Sequence, residues 1–312
     1  MTTAFLFPGQ GSQAVGMGMA LAEASVAARE VLQEVDDALG HHLSRLMRDG
    51  PEDELTLTAN AQPAIMAVSM AVTRILEREA GVRIAQAAFV AGHSLGEYSA
   101  LCAAGSLPIA ETARLLRRRG EAMQAAVPPG VGAMAAVIGL DFAAVEAIVA
   151  EAAQGEVVAA ANDNAPGQVV VSGHAAAVER ACALARMRGA RHALPLAVSA
   201  PFHCALMAPA ADAMAMALAE ARLAGPLVPV VANVTAALVT DPAEIRELLV
   251  QQVTGRVRWR ESIGWMASDG GVTRFVELGG KVVGPLVKRI ARDARSDSIT
   301  TMAEIEALAA SL

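Results

Sequence analysis

The stretch from residue 87 to residue 104 constrains the fold more than any other. Residues 87–91 form an apolar run that reads as a buried strand, Gly92 breaks it, and residues 94–104 have helical character. At the junction stands Gly92-His93-Ser94-Leu95-Gly96, which fits G-x-S-x-G, the pattern of a serine carried on a sharp strand-to-helix turn. Strands that alternate with helices in this way imply a mostly parallel sheet covered on both faces, and so an α/β fold.

The same alternation extends along the chain. Thr3–Phe7 is a short apolar run closed by Pro8-Gly9, and residues 17–39 have helical spacing. Pro63 stands where a helix can begin, and residues 64–79 continue it. From Gly132 the pattern changes. Strand-like residues 133–138, helical Phe142–Ala153, strands at 157–161 and 168–172, helical 175–188 and strand-like 192–198 follow in turn. Asn162-Asp163-Asn164-Ala165-Pro166-Gly167 is dense in turn residues and is expected to join the two middle strands as a loop. The order β-α-β-β-α-β is the split plan of ferredoxin-like domains, so residues 128–197 are expected to form an insert. Residues 1–127 and 198–312 are then the two halves of the main domain. The second half is expected to hold helices at 205–221, 242–253 and 260–268, strands at 229–234 and 273–278, and a final basic helix at 281–292.

Composition removes several function classes. With 312 residues the chain is long enough for a large core without disulfides or a metal. No membrane span and no basic region ahead of an apolar N-terminal run is visible, so neither membrane insertion nor a secretory signal is expected. The three cysteines, Cys102, Cys182 and Cys204, are too few and too scattered for a disulfide framework or a zinc site. Free thiols point to the cytoplasm. A net charge of -7 with 3% aromatic residues gives no support to nucleic-acid binding.

Ser94 is the candidate nucleophile. The flanking glycines let the backbone fold back and place the Leu95 N–H at a helix start, where it can hold an oxyanion. The bland alternative is a serine that merely caps a helix. A serine needs a base, and the chain has six histidines. His41 and His42 lie in a polar stretch, His174 and His192 in the insert, and His93 is expected to point away from its neighbour Ser94. His203, where the main domain resumes after Ser199-Ala200-Pro201-Phe202, is left as the base. No aspartate stands out to orient it, which leaves a backbone carbonyl as the candidate acceptor. Pro8-Gly9-Gln10-Gly11-Ser12-Gln13 loosely fits a dinucleotide fingerprint, but no acidic residue marks a second strand end. The other reading gives Gln10 a backbone N–H for the oxyanion. In Arg117-Arg118-Arg119 the usual fate is a solvated helix face, and the sharper reading turns one arginine inward to bind a carboxylate.

Five blocks together resemble the malonyl-CoA:acyl carrier protein transacylase family of fatty acid synthesis: Phe7 to Gln13, Gly92 to Tyr98, Arg119-Gly120, Asn162 to Gln168, and Pro201-Phe202-His203. The resemblance spans nearly the whole chain. It implies an α/β-hydrolase-like core with a ferredoxin-like insert. It also implies roles: Ser94 as nucleophile, His203 as base and then acid, and Gln10 and Leu95 as the oxyanion hole. Arg119 would bind the malonyl carboxylate, Gln252 would orient His203 through its carbonyl, Asn164 would line the cleft, and Phe202 would favour malonyl over methylmalonyl groups.

The implied partners are malonyl-CoA and an acyl carrier protein, with no cofactor or metal because the coenzyme A thioester is itself the substrate. A monomer is expected. Lys281, Lys288, Arg289 and Arg292 are candidates for docking the acidic carrier. Arg256 departs from the family, which often has proline there. The rival readings are a serine acyl hydrolase, a loader of polyketide carriers, and a non-catalytic carrier- or dinucleotide-binding module.

Overall fold

The computed structural model describes residues 1–198 and 200–312. Ser199, which precedes the expected base in sequence, lies outside them. Among the described residues the strands are β1 (Thr3–Phe7), β2 (Phe89–Gly92), β3 (Gly132–Ile138), β4 (Val158–Ala165), β5 (Gln168–His174), β6 (His192–Pro195), β7 (Val230–Val231), β8 (Leu238–Val239), β9 (Arg274–Leu278) and β10 (Arg295–Ile299). Six form one sheet in the order β10-β9-β1-β2-β7-β8, parallel except for the β7–β8 hairpin. The other four form an antiparallel sheet, β4-β5-β3-β6.

The central strand β1 explains why its sequence is apolar throughout rather than alternating. Phe5 and Phe7 pack into the core on one side of the sheet, while Ala4 and Leu6 pack into the core on the other. Side chains of a strand alternate between faces, so a strand covered on both needs apolar residues at every position. The smaller sheet has its own core, in which Val137, Val169 and Val171 meet Val145 and Ile148 of the helix Phe142–Ala153 and Val178 of the helix Ala175–Met187.

Several expected boundaries move. The helix expected to begin at Pro63 runs from Thr58 to Arg78 and contains that proline. Proline cannot bond the carbonyl four residues earlier. That carbonyl, Ala59 O, accepts instead from Arg117 Nη1 at 3.2 Å. The stretch 17–39 divides into Met19–Ala24 and Val26–Leu39, because Ser25 leaves helical geometry and caps the second helix through the Ala28 N–H. Asn162 to Ala165 are strand rather than loop. β4 continues through them with two bulges, and the turn shrinks to Pro166-Gly167. The stretch 192–198 stays extended only to Pro195. The basic helix spans Gly284–Ile290 and is not final, since β10 and the helix Met302–Ala309 follow it. β10, Arg-Ser-Asp-Ser-Ile, is a polar edge strand with little hydrophobic signature, and β8 has only two residues.

The helix Ile109–Ala125 crosses the helix Thr58–Arg78 at Gly120. A Cβ there would lie 2.5 Å from Ala59 Cα and 2.6 Å from Thr58 O, so only glycine permits the approach. Gly120→Ala is expected to cost about 2 kcal/mol or more through overpacking. Gly264→Ala, in the helix Trp259–Ser268 with no atom near its new methyl, is expected to gain roughly 0.5–1 kcal/mol. Urea denaturation of both variants checks the pair. Equal stability changes would show that the crossing is not tight.

Candidate active site

β2 ends in a turn that only glycines permit. A Cβ on Gly92 would come within 1.8 Å of Gly96 O, and one on Gly96 within 2.4 Å of Phe7 O. Ser94, between them, is held at φ 54°. Left-handed backbone at a non-glycine residue costs on the order of 1–3 kcal/mol and needs external support. Asn233 supplies it. Its Oδ1 accepts the Ser94 N–H at 2.8 Å, and its Nδ2 donates to Gly92 O at 2.7 Å. The helix Gly96–Ala103 starts directly after the turn.

His203 is also left-handed, at φ 58°, and its Nε2 lies 2.8 Å from Ser94 Oγ. Its Nδ1 faces two carbonyls, Gln252 O at 2.9 Å and Gly255 O at 3.1 Å. Carbonyls only accept, so Nδ1 carries the proton and Nε2 presents its lone pair to the hydroxyl. Burial pushes the His203 imidazole down to about 3, helped by the positive charge of Arg119 nearby. Among the described residues no carboxylate contacts the ring; the Gln252 carbonyl accepts there, joined by the Gly255 carbonyl, which was not expected.

Of the three consecutive arginines, Arg119 is the buried one, 1% exposed. Its Nη1 donates to Gln62 Oε1 at 2.9 Å, and its Nη2 to Gln252 Oε1 at 2.7 Å and to Ser94 Oγ at 3.2 Å. The guanidinium lies 5.7 Å from the Tyr98 ring centroid. Burial lowers its pKa, because desolvation disfavours the charged guanidinium. Arg117 satisfies the Ala59 carbonyl, and Arg118 is half exposed near Glu220.

A cleft of about 290 Å³ opens over Ser94 between the two sheets. Gln10, Leu95, Asn164 and Phe202 all line it. Among the described residues neither the Gln10 nor the Leu95 backbone N–H has an acceptor. The Asn164 Oδ1 meets His93 Nε2 at 2.8 Å, and the His93 ring sits edge-on to Trp259 at 5.4 Å. His93 was expected to point away from Ser94, yet its ring lines the same cleft, with Nε2 tied to Asn164 rather than to the hydroxyl. Asn164 falls at a β4 bulge, which explains how a strand residue reaches the cleft.

Three functional-looking residues were not foreseen: Gln62, Asn233 and Glu97. Gln62 lies one position before Pro63, and Asn233 just beyond the short β7. Neither carries a local signal. Glu97 follows the glycine turn directly and had one. Burial pushes its carboxyl up to about 7.

Other expected features are placed as follows. Arg256 stacks on Phe142 at 4.3 Å and faces Glu146 and Glu261, tying the loop that carries Gly255 to the smaller sheet's helix. The four basic candidates are all exposed; Lys281 pairs with Glu304, and Arg289 bonds Pro166 O and Gln168. The loop after β1 does not lead at once into a helix, as a dinucleotide site requires; the next helix starts at Met19. No group of metal-ligating side chains occurs, and no helix is long and apolar enough to cross a membrane, among the described residues.

The family model described as an acyl transferase domain matches residues 4–293. The malonyl CoA-acyl carrier protein transacylase of Escherichia coli strain K12 is 47% identical over 312 residues, covering 99% of this chain and 98% of that protein. The crystal structure of an acyl-carrier-protein-S-malonyltransferase from Bartonella henselae superposes with a TM-score of 0.96 at 55% identity, covering 99% of this chain and 98% of that one. A malonyl-transacylase solved in complex with a type II PKS acyl-carrier protein superposes with a TM-score of 0.96 at 40% identity, covering 100% of both chains.

The depressed pKa of His203 has a stability consequence. Unfolded, the imidazole takes a proton below its ordinary value of 6.5; folded, it does not until about 3. The unfolded state binds more protons in that window, so this group's contribution to stability falls as pH drops from 6.5 toward 3. His93, lowered mainly by burial, acts in the same direction, while Glu97, raised, acts in the opposite one. The stability lost between pH 7 and pH 5 should therefore shrink in His203→Gln. Urea titrations at the two pH values measure this, and an unchanged loss would mean that His203 titrates normally.

Proposed function

The chain belongs to the acyl transferase domain family, and from that premise we propose that it moves a malonyl group from malonyl-CoA to the phosphopantetheine thiol of an acyl carrier protein, through an ester on Ser94. The observation that carries this reading is one hydroxyl with both a base and a buried guanidinium in reach, Nε2 of His203 at 2.8 Å and Nη2 of Arg119 at 3.2 Å.

Ser94 Oγ attacks the thioester carbonyl as its proton passes to His203 Nε2. The Gln10 and Leu95 N–H groups receive the oxyanion. On collapse the C–S bond breaks and the imidazolium returns the proton to the departing coenzyme A thiolate. The carrier thiol then repeats the sequence in reverse, giving its proton to His203 and leaving Ser94 Oγ protonated. Thioester and serine ester are close in energy, so the exchange requires neither a cofactor nor a metal.

Arg119 supplies selectivity in two ways. Its guanidinium pairs with the malonyl carboxylate. Its positive charge also disfavours imidazolium at His203, and a seated carboxylate offsets that charge, so the base strengthens when the right acyl group is bound. Gln252 and Gly255 orient the base through their carbonyls. Asn164 and Phe202 shape the acyl end of the cleft. Lys281, Lys288, Arg289 and Arg292 are exposed cations suited to an acidic carrier.

The architecture fits this reading. The mostly parallel sheet with its serine turn is α/β-hydrolase-like, and β-α-β-β-α-β over residues 128–197 is a ferredoxin-like insert between main-domain segments 1–127 and 198–312. Three free, buried cysteines suit the cytoplasm. The acceptor we favour is the carrier of fatty acid synthesis. The relative solved with a type II PKS carrier makes polyketide loading the second reading.

Intact-mass analysis after mixing with malonyl-CoA is expected to show one malonyl adduct, absent in Ser94→Ala. No adduct would end the acyl-enzyme reading, and rapid loss of the adduct to water without a carrier would favour a hydrolase. Arg119→Ala is expected to lower malonyl transfer about a hundredfold, the usual effect of losing one partner of a buried charge pair, while sparing acetyl transfer. Comparison of fatty acid and polyketide carriers as acceptors separates the two pathways.

A further inference from the structure

The buried amide of Gln252 lies between a cation and an anion. Its Oε1 accepts from Arg119 Nη2 at 2.7 Å. Its Nε2 donates to Glu97 Oε2 at 2.6 Å and to Ser94 O at 3.0 Å. Glu97 Oε2 also accepts the Asn233 N–H at 3.3 Å, and Asn233 in turn holds the Ser94 N–H. Glu97, Gln252, Arg119 and Asn233 are all within 3% of complete burial. A primary amide can rotate by half a turn with little change of shape, so its neighbours decide its direction. Reversed, the Gln252 amide would aim an N–H donor at the guanidinium and a carbonyl at both Glu97 and Ser94 O. Buried groups left in such opposition are costly, and Glu97, at the shorter distance, joins the Ser94 carbonyl as the acceptor that prevents it from the side away from Arg119.

From this geometry we infer that Glu97 is a positioning residue for acyl selectivity: it fixes the direction of the Gln252 amide, and through it the Arg119 guanidinium over Ser94. The inference rests on the reading of Arg119 as the partner of the malonyl carboxylate. One acceptor oxygen is what the arrangement needs. A carboxyl raised to about 7 by burial keeps such an oxygen whether or not it holds a proton.

Glu97→Gln retains an acceptor oxygen and Glu97→Leu removes it. The measurement is kcat/KM for acylation of Ser94 by malonyl-CoA and by acetyl-CoA, with Arg119→Ala alongside. Glu97→Leu is expected to lower the malonyl-to-acetyl ratio about tenfold, the effect of losing a hydrogen bond to a charged group, and Glu97→Gln to restore it to within about twofold. If Glu97→Leu does not fold, Gln252→Met removes the relay itself while keeping the carbonyl that holds His203, and the same loss of ratio is expected. Equal loss for both acyl groups in these variants, with the ratio still lost in Arg119→Ala, overturns the role of Glu97 and leaves that of Arg119 intact. An unchanged ratio in Arg119→Ala defeats the reading of Arg119, and the inference with it.

Discussion

Three backbone approaches at the end of β2 govern the site. Gly92 folds against Gly96, Gly96 against Phe7 of the neighbouring strand, and Gly9 against His93, each so close that a methyl group would overlap a carbonyl oxygen. This crowding bends the chain hard enough to hold Ser94 in left-handed geometry and lift its hydroxyl into the cleft. The strain is borne by the surrounding sheet, because β1 and β2 are paired along their length and buried on both sides. His203 is left-handed too, so both members of the dyad sit where the backbone would not rest unaided. Their 2.8 Å contact is a product of the whole fold and not of either local segment.

Around the dyad the protein solves a solvation problem. A buried guanidinium and a buried imidazole side by side would repel if both were charged. The structure keeps the imidazole neutral by burial and by the nearby Arg119 charge, while two carbonyls accept its one proton and draw its pKa part of the way back up. It then binds the permanent cation with amide oxygens, Gln62 and Gln252, rather than with a direct carboxylate. An arginine held this way remains attractive to an incoming anion, whereas one already paired with a carboxylate would have to give that partner up. The single buried carboxyl near it, Glu97, is set one amide away.

Legibility followed the range of the interactions. The strand, turn and helix around Ser94 depend on residues within a few positions of one another, and the apolar run and glycine spacing displayed them. The boundaries that moved were those settled by distant partners. Pro63 sits inside a helix because Arg117, 54 positions away in sequence (117 − 63), takes up the freed carbonyl. Asn162 to Ala165 have turn-forming side chains, yet β5 pairs with them, and Val257, outside both sheets, bridges to Asn162. β10 went unseen because a short polar edge strand gains its order from β9 and not from its own pattern.

By itself the sequence determined that a mostly parallel sheet would form, that one serine would stand on a glycine bend, and that one of three arginines had reason to turn inward. These follow from local steric and hydrophobic demands. Only the tertiary structure decided which histidine nitrogen faces the hydroxyl, which carbonyls hold its other side, and how Gln62, Gln252, Glu97 and Asn233 join Arg119 to Ser94. Those contacts close loops of 49 to 158 residues, among them Gln252 to His203 and Ser94 to Gln252. A buried polar group takes whatever partner the completed core brings within reach, and a linear pattern carries no record of that choice.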